Sequence, residues 1–282
     1  MPEWSGSTAS FSPLDANRSR DSRVHEADSQ RDFFAFPVTS TVVPGLLVSV
    51  RNLAEAKLAA QSNISILDIK EPSDGPLAPA SQEVWEQIAE FNAGRIPLSA
   101  ALGEFDQGIE VATAVPKQFR FAKVGPCGSQ SIENLHLRWQ EIRSRLSPDI
   151  ELVAVAYADH RAASCPTPAE VFGLAAKIGM KTWLVDTFEK DGKSSLDHLS
   201  GTELLSISAF AKQHAAKWVL AGSMRIEMLE GIGRANICPD LFGVRGDVCR
   251  ESRASEISVQ RIDRWLKRLQ SFAVDSPRKS SH

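Results

Sequence analysis

Lysine and aspartate residues stand at or near the ends of three apolar runs of this 282-residue sequence. The runs are ISILDIK, RFAKVG and TWLVDT, and the charged residues are Asp68, Lys70, Lys123, Asp186 and, just beyond the third run, Lys190. Three lysines in one site would repel one another, so the pKa of at least one should fall and leave a neutral amine that can attack a carbonyl group. The two carboxylates would hold the remaining ammonium groups and relay protons. These residue types therefore predict Schiff-base chemistry.

A simpler explanation exists for any one of these lysines. A buried ammonium group without a partner loses its hydration, so a lysine at a strand end can serve only in a structural ion pair. Asp68 could pair in this way with Lys70 or with a lysine of a neighbouring strand. Lysines that bind phosphate would produce a similar pattern. The presence of three lysines favours catalysis over a purely structural arrangement.

The elements that must position these residues follow from a regular alternation of short apolar runs and longer amphipathic segments. Such alternation is typical of β/α units with parallel strands, and eight units over residues 37–273 predict one closed (β/α)8 barrel of the TIM type. An open doubly wound sheet is the alternative, but VRNLAE after the first run lacks the glycine-rich fingerprint common in that fold. The third unit is the weakest, because DQGIEVATAVPKQF shows a poor helical stripe. The runs are residues 45–50, 64–70, 96–102, 120–125, 151–157, 182–187, 217–223 and 241–246.

Alternation along the second run predicts where its side chains point. Ile66, Asp68 and Lys70 share one face of the strand, whereas Leu67 and Ile69 share the other. If the aliphatic pair packs against the helices, the charged pair faces the barrel mouth. In this fold class the active site is built there, from the loops that follow the strands.

Polar residues at other strand ends predict a phosphate site. Barrels often bind phosphate after their last two strands through backbone amides, a hydroxyl group and a guanidinium group. Glycines needed for tight turns would look the same. Tyr157, the only tyrosine, precedes Asp159 closely and could transfer protons or donate a supporting hydrogen bond. The residues that predict the phosphate site are Gly222, Ser223, Arg245 and Gly246, with Ser49 and Ser99 at comparable positions on other strands.

Composition limits the range of partners. The formal net charge is −3, which gives no indication of nucleic acid or an anionic membrane surface as a partner. The four cysteines form no CxxC pair and no cluster with histidine at zinc-ligand spacing, so we expect no metal site and a reduced, cytoplasmic setting. No apolar stretch reaches the roughly 20 residues that span a bilayer. Residues 1–36 and 274–282 lack periodicity and are predicted to be disordered.

Several strings of residues, in this order along the chain, resemble the (5-formylfuran-3-yl)methyl phosphate synthase family, also called 4-(hydroxymethyl)-2-furancarboxaldehyde-phosphate synthases. The resemblance extends from about Gly45 to about Leu269. The chain departs from the pattern after Lys70, where Glu71-Pro72-Ser73 replaces the Asn-Pro-Lys of many relatives and removes one positive charge. The matching strings are LLVSVRN, LDIKEPSDGPL, SAALGE, FAKVG, VAYAD, VDTFEKDGKSSL, LAGS and GVRGDVC.

This resemblance implies an activity and a set of catalytic residues. It implies a barrel enzyme that condenses two molecules of glyceraldehyde 3-phosphate into a phosphorylated furan aldehyde for methanofuran biosynthesis, as a homo-oligomer without a metal or organic cofactor. Lys70 matches the Schiff-base lysine and Lys123 the proton-transferring lysine, whereas spacing alone would also permit the imine on Lys190. Asp68, Asp186 and Lys190 match the rest of the catalytic cluster. A class I aldolase and a non-catalytic barrel that binds a phosphorylated metabolite remain alternatives.

Overall fold

The eight apolar runs form the eight strands of a closed parallel barrel in the computed structural model, which describes residues 43–275. Each strand pairs with its neighbours in chain order, and the first strand pairs with the last. The barrel predicted from the sequence is therefore confirmed, and the open sheet is excluded. The strands are β1 Gly45–Val50, β2 Ile66–Ile69, β3 Leu98–Glu104, β4 Phe121–Gly125, β5 Glu151–Tyr157, β6 Thr182–Asp186, β7 Lys217–Leu220 and β8 Leu241–Val244.

Helices connect the strands and begin at residues suited to capping. The side chains of Ser81, Thr167 and Ser200 each accept a hydrogen bond from the backbone N–H three residues later, which satisfies a donor that the helix itself leaves unpaired. The helices are α1 Leu53–Ala59, α2 Gln82–Asn92, α3 Phe105–Val111, α4 Ile132–Arg145, α5 Pro168–Lys177, α6 Ser195–His198, α7 Gly201–Gln213, α8 Leu229–Arg234 and α9 Val259–Asp275.

The third unit is irregular, as its weak helical stripe predicts. Helix α3 has only seven residues and continues into a short 3-10 turn at Ala112–Ala114. Gly108 allows this short helix to lie close to the barrel, because a Cβ atom at that position would come within 2.8 Å of the Val124 side chain. Although α3 is short, close packing at Gly108 holds it against β4.

The apolar core has two layers, one inside the barrel and one between the strands and the helices. Ile66 belongs to the inner layer, and Leu67 and Ile69 belong to the outer one. The alternation predicted for β2 is therefore present, and Asp68 and Lys70 lie on the same strand face as Ile66. Burial of the aliphatic pair fixes the direction of the charged pair, because a shift of one residue would expose the apolar side chains.

The predicted disordered segment over residues 1–36 lies outside the described residues, and so does the predicted tail except for its first two residues, which end α9. Within residues 43–275, no helix combines the length and the apolar character needed to cross a membrane.

Candidate active site

A cavity of about 350 Å³ opens at the carboxyl ends of the strands. It is the place where the fold brings most of the sequence-predicted residues together. Asp68 and Ser99 are exceptions, because both are buried beside each other in the register of β2 and β3 and do not line the cavity. The predicted residues that do line it are Ser49, Lys70, Lys123, Asp186, Lys190, Gly222, Ser223, Arg245 and Gly246.

Asp68 forms an ion pair with Lys123 across the width of β3. The Asp68 Oδ1 atom lies 2.8 Å from the Lys123 Nζ atom, and Oδ2 accepts a hydrogen bond of 2.7 Å from the Ser49 hydroxyl group. Small residues on the intervening strand, Ser99 and Ala101, stand in register with Asp68 and Lys123 and leave room for the contact. Of the two structural pairings that the sequence allows for Asp68, the structure forms the one with a lysine of another strand.

Lys190 forms the second ion pair at the mouth. Its ammonium group lies 2.9 Å from Asp186 Oδ1 and also donates to the carbonyl and hydroxyl oxygens of Thr187, at 2.6 and 2.9 Å. Burial would raise the pKa of Asp186, but the positive charges of Lys190, Lys70 and Lys123 outweigh it and lower the pKa to about 2. Asp186 is therefore a carboxylate throughout the physiological pH range.

Lys70 has no comparable partner. Its ammonium group donates a hydrogen bond of 3.0 Å to the carbonyl oxygen of Pro76, and among the described residues no carboxylate lies within ion-pair distance. Burial lowers the pKa of Lys70 from 10.5 to about 7, with help from Lys123 and Lys190 and against the attraction of Asp186 and Asp68. A substantial fraction of Lys70 is consequently neutral at pH 7, which is the form that attacks a carbonyl carbon.

The loop after β7 passes very close to neighbouring backbone. Gly222 adopts a φ of 85°, and a Cβ atom there would meet the Ser195 hydroxyl oxygen at 2.2 Å and the Thr187 backbone nitrogen at 2.9 Å. Ser223 follows with a φ of 53°, a left-handed conformation that costs a residue with a side chain on the order of 1 kcal/mol. Close packing thus explains Gly222, and the strained Ser223 backbone borders the cavity.

Arg245 reaches the cavity wall, but its five N–H donors are all engaged. It forms a two-pronged ion pair with Glu55, and its remaining donors go to the carbonyl oxygens of Ser49, Arg253 and Ser255, at 2.9 to 3.1 Å. A guanidinium group has five donors and no acceptor, so Arg245 has none left for a ligand in this structure. It contributes positive charge and holds the end of β8 to β1 and α1.

Sequence reasoning missed two carboxylates at the mouth, the buried Glu55 and the partly buried Glu104. Glu55 lies in the first turn of α1, where nothing in the sequence distinguishes it from an ordinary surface residue. Glu104 ends the SAALGE run in the same way that Asp68 and Lys70 end theirs, and this position was the available signal. Its carboxyl group accepts hydrogen bonds from the Tyr157 hydroxyl group at 2.6 Å and from the Cys127 backbone N–H at 2.9 Å.

Asp159 stands near the mouth but does not contact the cluster of lysines. Both carboxylate oxygens of Asp159 accept backbone N–H groups, from Phe188 and Glu189, and so fix the loop after β6. Within the part of the chain that the structure describes, no three histidine, cysteine, aspartate or glutamate residues come together in a way that could hold a metal ion.

The sequence matches one family model, described as 4-HFC-P synthase, over residues 46–266. The chain is also similar to curated proteins named (5-formylfuran-3-yl)methyl phosphate synthase. That of Methanosarcina acetivorans is 30% identical over 234 residues, which cover 80% of this chain and 99% of the relative. That of Methanopyrus kandleri is 30% identical over 217 residues, which cover 73% of this chain and 90% of the relative.

Solved structures share the fold at low sequence identity. Phosphoribosyl anthranilate isomerase from Thermus thermophilus has a TM-score of 0.53 at 14% identity, covering 80% of this chain and 98% of that one. The structure of KGPDC from Streptococcus mutans has a TM-score of 0.52 at 14% identity, covering 80% of this chain and 99% of that one. These likenesses establish the barrel architecture.

Proposed function

The chain belongs to the 4-HFC-P synthase family and is an enzyme of this type, and on that premise we propose that it condenses two molecules of glyceraldehyde 3-phosphate into (5-formylfuran-3-yl)methyl phosphate. The reaction releases one phosphate and water, and its product fits methanofuran biosynthesis. Lys70 is the amine that forms the Schiff base.

One observation carries the choice of Lys70. Of the three lysines that line the cavity, Lys123 and Lys190 are each held by a carboxylate, whereas Lys70 contacts a neutral carbonyl oxygen among the described residues. An ion pair keeps an amine protonated and unreactive, because the carboxylate favours the charged form. The pKa of about 7 at Lys70 gives a neutral nucleophile near physiological pH.

The other charged residues support proton transfer. Neutral Lys70 attacks the aldehyde carbon of one triose, and the imine withdraws electrons so that a neighbouring C–H proton can be removed. The resulting carbon nucleophile attacks the aldehyde of the second triose. Lys123 moves the protons, with Asp68 setting its position through the buried ion pair, and Asp186 with Lys190 assists the loss of phosphate.

Substrate phosphate is proposed to bind at the edge of the cavity after β7 and β8. Gly222, Ser223 and Gly246 line the cavity there and can offer backbone N–H groups and a hydroxyl group. Arg245 contributes its charge while its donors remain with Glu55 and carbonyl oxygens. Ser49 and Ser99 lie deeper, where Ser49 donates to Asp68, so a phosphate contact for these two stays a prediction.

The setting of the enzyme also stays a prediction. The family resemblance leads us to propose a homo-oligomer that acts in the cytoplasm on a small phosphorylated triose, without a metal, an organic cofactor, nucleic acid or a membrane. The formal net charge of −3 is compatible with the expectation that neither nucleic acid nor a membrane is a partner.

Two measurements test the activity and its nucleophile. Incubation with glyceraldehyde 3-phosphate alone should produce the ultraviolet absorbance of a conjugated furan aldehyde, whereas an aldolase would release another phosphosugar and a binding protein would release nothing. Borohydride should then trap the imine, and peptide mass spectrometry should find the label on Lys70. Lys70→Met should lose the label, and Lys193→Met, at a largely exposed lysine, should keep it. A label on Lys190 in the native enzyme would refute the assignment.

A further inference from the structure

The carboxyl group of Glu104 lies on the inner face of the barrel, close enough to Asp186 for the two negative charges to interact, although Glu104 does not line the 350 Å³ cavity. Glu104 ends β3, and the register places it beside Gly125 of β4 after an irregularity in the pairing. A Cβ atom on Gly125 would lie 2.2 to 2.4 Å from the Glu104 carboxyl atoms, so the carboxyl group occupies the space that a side chain at 125 would fill. Lys123 and Gly125 share a strand face because they are two residues apart. The Glu104 carboxyl group therefore lies over Gly125, one layer of side chains nearer the carboxyl ends of the strands than Lys123.

The neighbouring strand approaches the same position from the other side. Tyr157 ends β5, stands in register with Asp186 and packs in the inner apolar layer. Its hydroxyl group donates to Glu104 Oε1 at 2.6 Å, and the Cys127 backbone N–H donates to Oε2 at 2.9 Å. Glu104 keeps some exposure to solvent, whereas Tyr157 is fully buried. Of this pair, Glu104 is therefore the residue that keeps contact with solvent.

The surroundings of Glu104 raise the pKa of its carboxyl group above that of an ordinary glutamate. Burial raises the pKa of Glu104, the negative charge of Asp186 adds to the effect, and the hydrogen bonds from Tyr157 and Cys127 oppose it. Burial also raises the pKa of Tyr157, together with the charge of Glu104, so the phenol keeps its proton. By contrast, the pKa of Asp186 is lowered to about 2. The surroundings thus hold Asp186 in the charged form and shift the pKa of Glu104 in the opposite direction.

We propose that Glu104 is a further catalytic group, a general acid that protonates a hydroxyl oxygen of the condensed six-carbon intermediate as that oxygen leaves as water. This inference rests on the proposed function, because it needs the intermediate bound at Lys70. Asp186 carries no proton at neutral pH, Lys190 already donates to Asp186 and to two oxygens of Thr187, and Lys123 is assigned to the proton transfers of the condensation. The formation of a furan requires the loss of water, and hydroxide is a poor leaving group without an acid.

The step balances in atoms and charge. The enamine nitrogen of Lys70 contributes its electron pair to the carbon skeleton, and the C–O bond to the leaving hydroxyl group breaks. The oxygen takes the bonding pair and the proton of Glu104 and departs as water. The nitrogen becomes a positive iminium, and Glu104 becomes a carboxylate that keeps the hydrogen bonds from Tyr157 and Cys127. No oxidant or reductant takes part.

Glu104→Gln separates this function from a structural one. A glutamine amide has the shape of the protonated carboxyl group, since its oxygen can accept from the Cys127 N–H and its NH₂ group can donate to the Tyr157 oxygen, but it has no proton to give. The variant should unfold at the wild-type temperature and bind substrate as an imine. We expect furan formation to fall at least about 100-fold. A six-carbon species heavier than the furan by one or two waters should accumulate.

The experiment compares wild type, Glu104→Gln and Glu110→Gln, an exposed carboxylate on α3 that should behave as wild type. Each is incubated with glyceraldehyde 3-phosphate, and furan absorbance, borohydride label on Lys70 and product masses are recorded. Retained label with lost furan and the heavier species supports the inference. Furan formation within about threefold of wild type overturns it, and so does loss of label together with a lowered unfolding temperature. Wild type that gives neither label nor furan overturns the proposed function, and this inference with it.

Tyr157→Phe provides a second variant that keeps the acid. Removing the hydroxyl group takes away one donor to the Glu104 carboxylate, so the charged form loses support and the proton is held to higher pH. In a general-acid step, the alkaline limb of the kcat profile should therefore move to higher pH, with a smaller loss of rate than in Glu104→Gln. An unchanged alkaline limb would contradict the inference, because a group that only holds loops together has no effect on that limb.

Discussion

Two buried groups of charges lie at the mouth of the barrel and differ in how completely they are paired. In the first, Arg245 meets both carboxylate oxygens of Glu55 and three carbonyl oxygens. In the second, three lysines lie near two carboxylates, and in the part of the chain that the structure describes Lys70 donates to one carbonyl oxygen and to no carboxylate. Similar burial and similar residue types therefore give a fully paired guanidinium group at Arg245 and an amine with a lowered pKa at Lys70.

The difference shows that a buried cationic group with fewer carboxylate partners gives up its proton more readily. A fully paired cation stays charged and fixes the backbone around it, whereas an amine that lacks a carboxylate in a buried site loses its proton more readily. In the proposed function the lysine cluster needs this neutral amine as its nucleophile. Arg245 is fully paired, so it stays charged and keeps the cavity wall in place.

The largest expected effect is that of Lys70→Met on catalysis. Loss of the imine-forming amine should reduce furan formation at least about 1000-fold, measured by absorbance with glyceraldehyde 3-phosphate. The temperature of unfolding at pH 6 should not fall, because below pH 7 both the folded and the unfolded chain carry the charged amine and the full cost of its burial is present. That cost declines as pH rises from 7 towards 10.5. A variant that unfolds well below wild type at pH 6 would show that Lys70 is a structural partner like Arg245.

Arg245→Met should have the opposite profile. It leaves Glu55 buried with Arg51 as its one remaining ion-pair partner among the described residues, and we expect the free energy of unfolding to fall by about 3 kcal/mol in urea titrations. The double variant with Glu55→Met should recover most of that loss, because the uncompensated carboxylate is gone. A large loss of activity without a loss of stability would instead indicate direct contact with substrate.

The pH dependence of kcat/KM sharpens the same comparison. Since the pKa of Lys70 is lowered to about 7, the neutral fraction and hence kcat/KM should rise about tenfold per pH unit below 7 and level off above it. Lys193→Met should reproduce this profile, as its side chain is exposed and outside the cluster. A limb that begins near the ordinary lysine pKa of 10.5 would mean that the amine is paired in solution.

Ser49→Ala should have the smallest effect of these changes. The Ser49 hydroxyl group donates to Asp68 at 2.7 Å, so its removal loosens the partner of Lys123 while leaving the ion pair intact. We expect kcat to fall less than about tenfold, with KM nearly unchanged, as for the loss of one hydrogen bond to a charged group. A rise in KM with kcat preserved would indicate that Ser49 binds a substrate phosphate instead.

Much of the fold follows from local patterns in the sequence. The β2 run predicts its own two faces, because apolar Leu67 and Ile69 alternate with Asp68 and Lys70, and alternation survives any arrangement of the neighbouring strands. The short helix of the third unit is also visible as a weak stripe. Gly108 and its close approach to Val124 are not, since that distance depends on a strand that comes later in the chain.

The site could be predicted only in part. The identity of the charged residues follows from their positions at strand ends, and Glu104 occupied such a position as well. The arrangement of the Glu104 carboxyl group over Gly125 depends on an irregularity in the pairing of β3 and β4, and the sequence contains no direct signal for that irregularity. Glu55 lies in a helix, and its ion pair with Arg245, directly after β8, cannot be inferred from sequence spacing.

By itself, the sequence determined the eight β/α units, which favoured a closed barrel over an open sheet, and it identified the lysines and aspartates at the ends of the strands. Periodicity is a local property of the chain, so these features are written in consecutive residues. Only the tertiary structure decided that Asp68 pairs with Lys123, that Arg245 is fully occupied by Glu55 and carbonyl oxygens, and that Lys70 has no carboxylate partner within residues 43–275. The reason is physical, because ion pairing and desolvation change over a few ångströms between residues that lie on different strands.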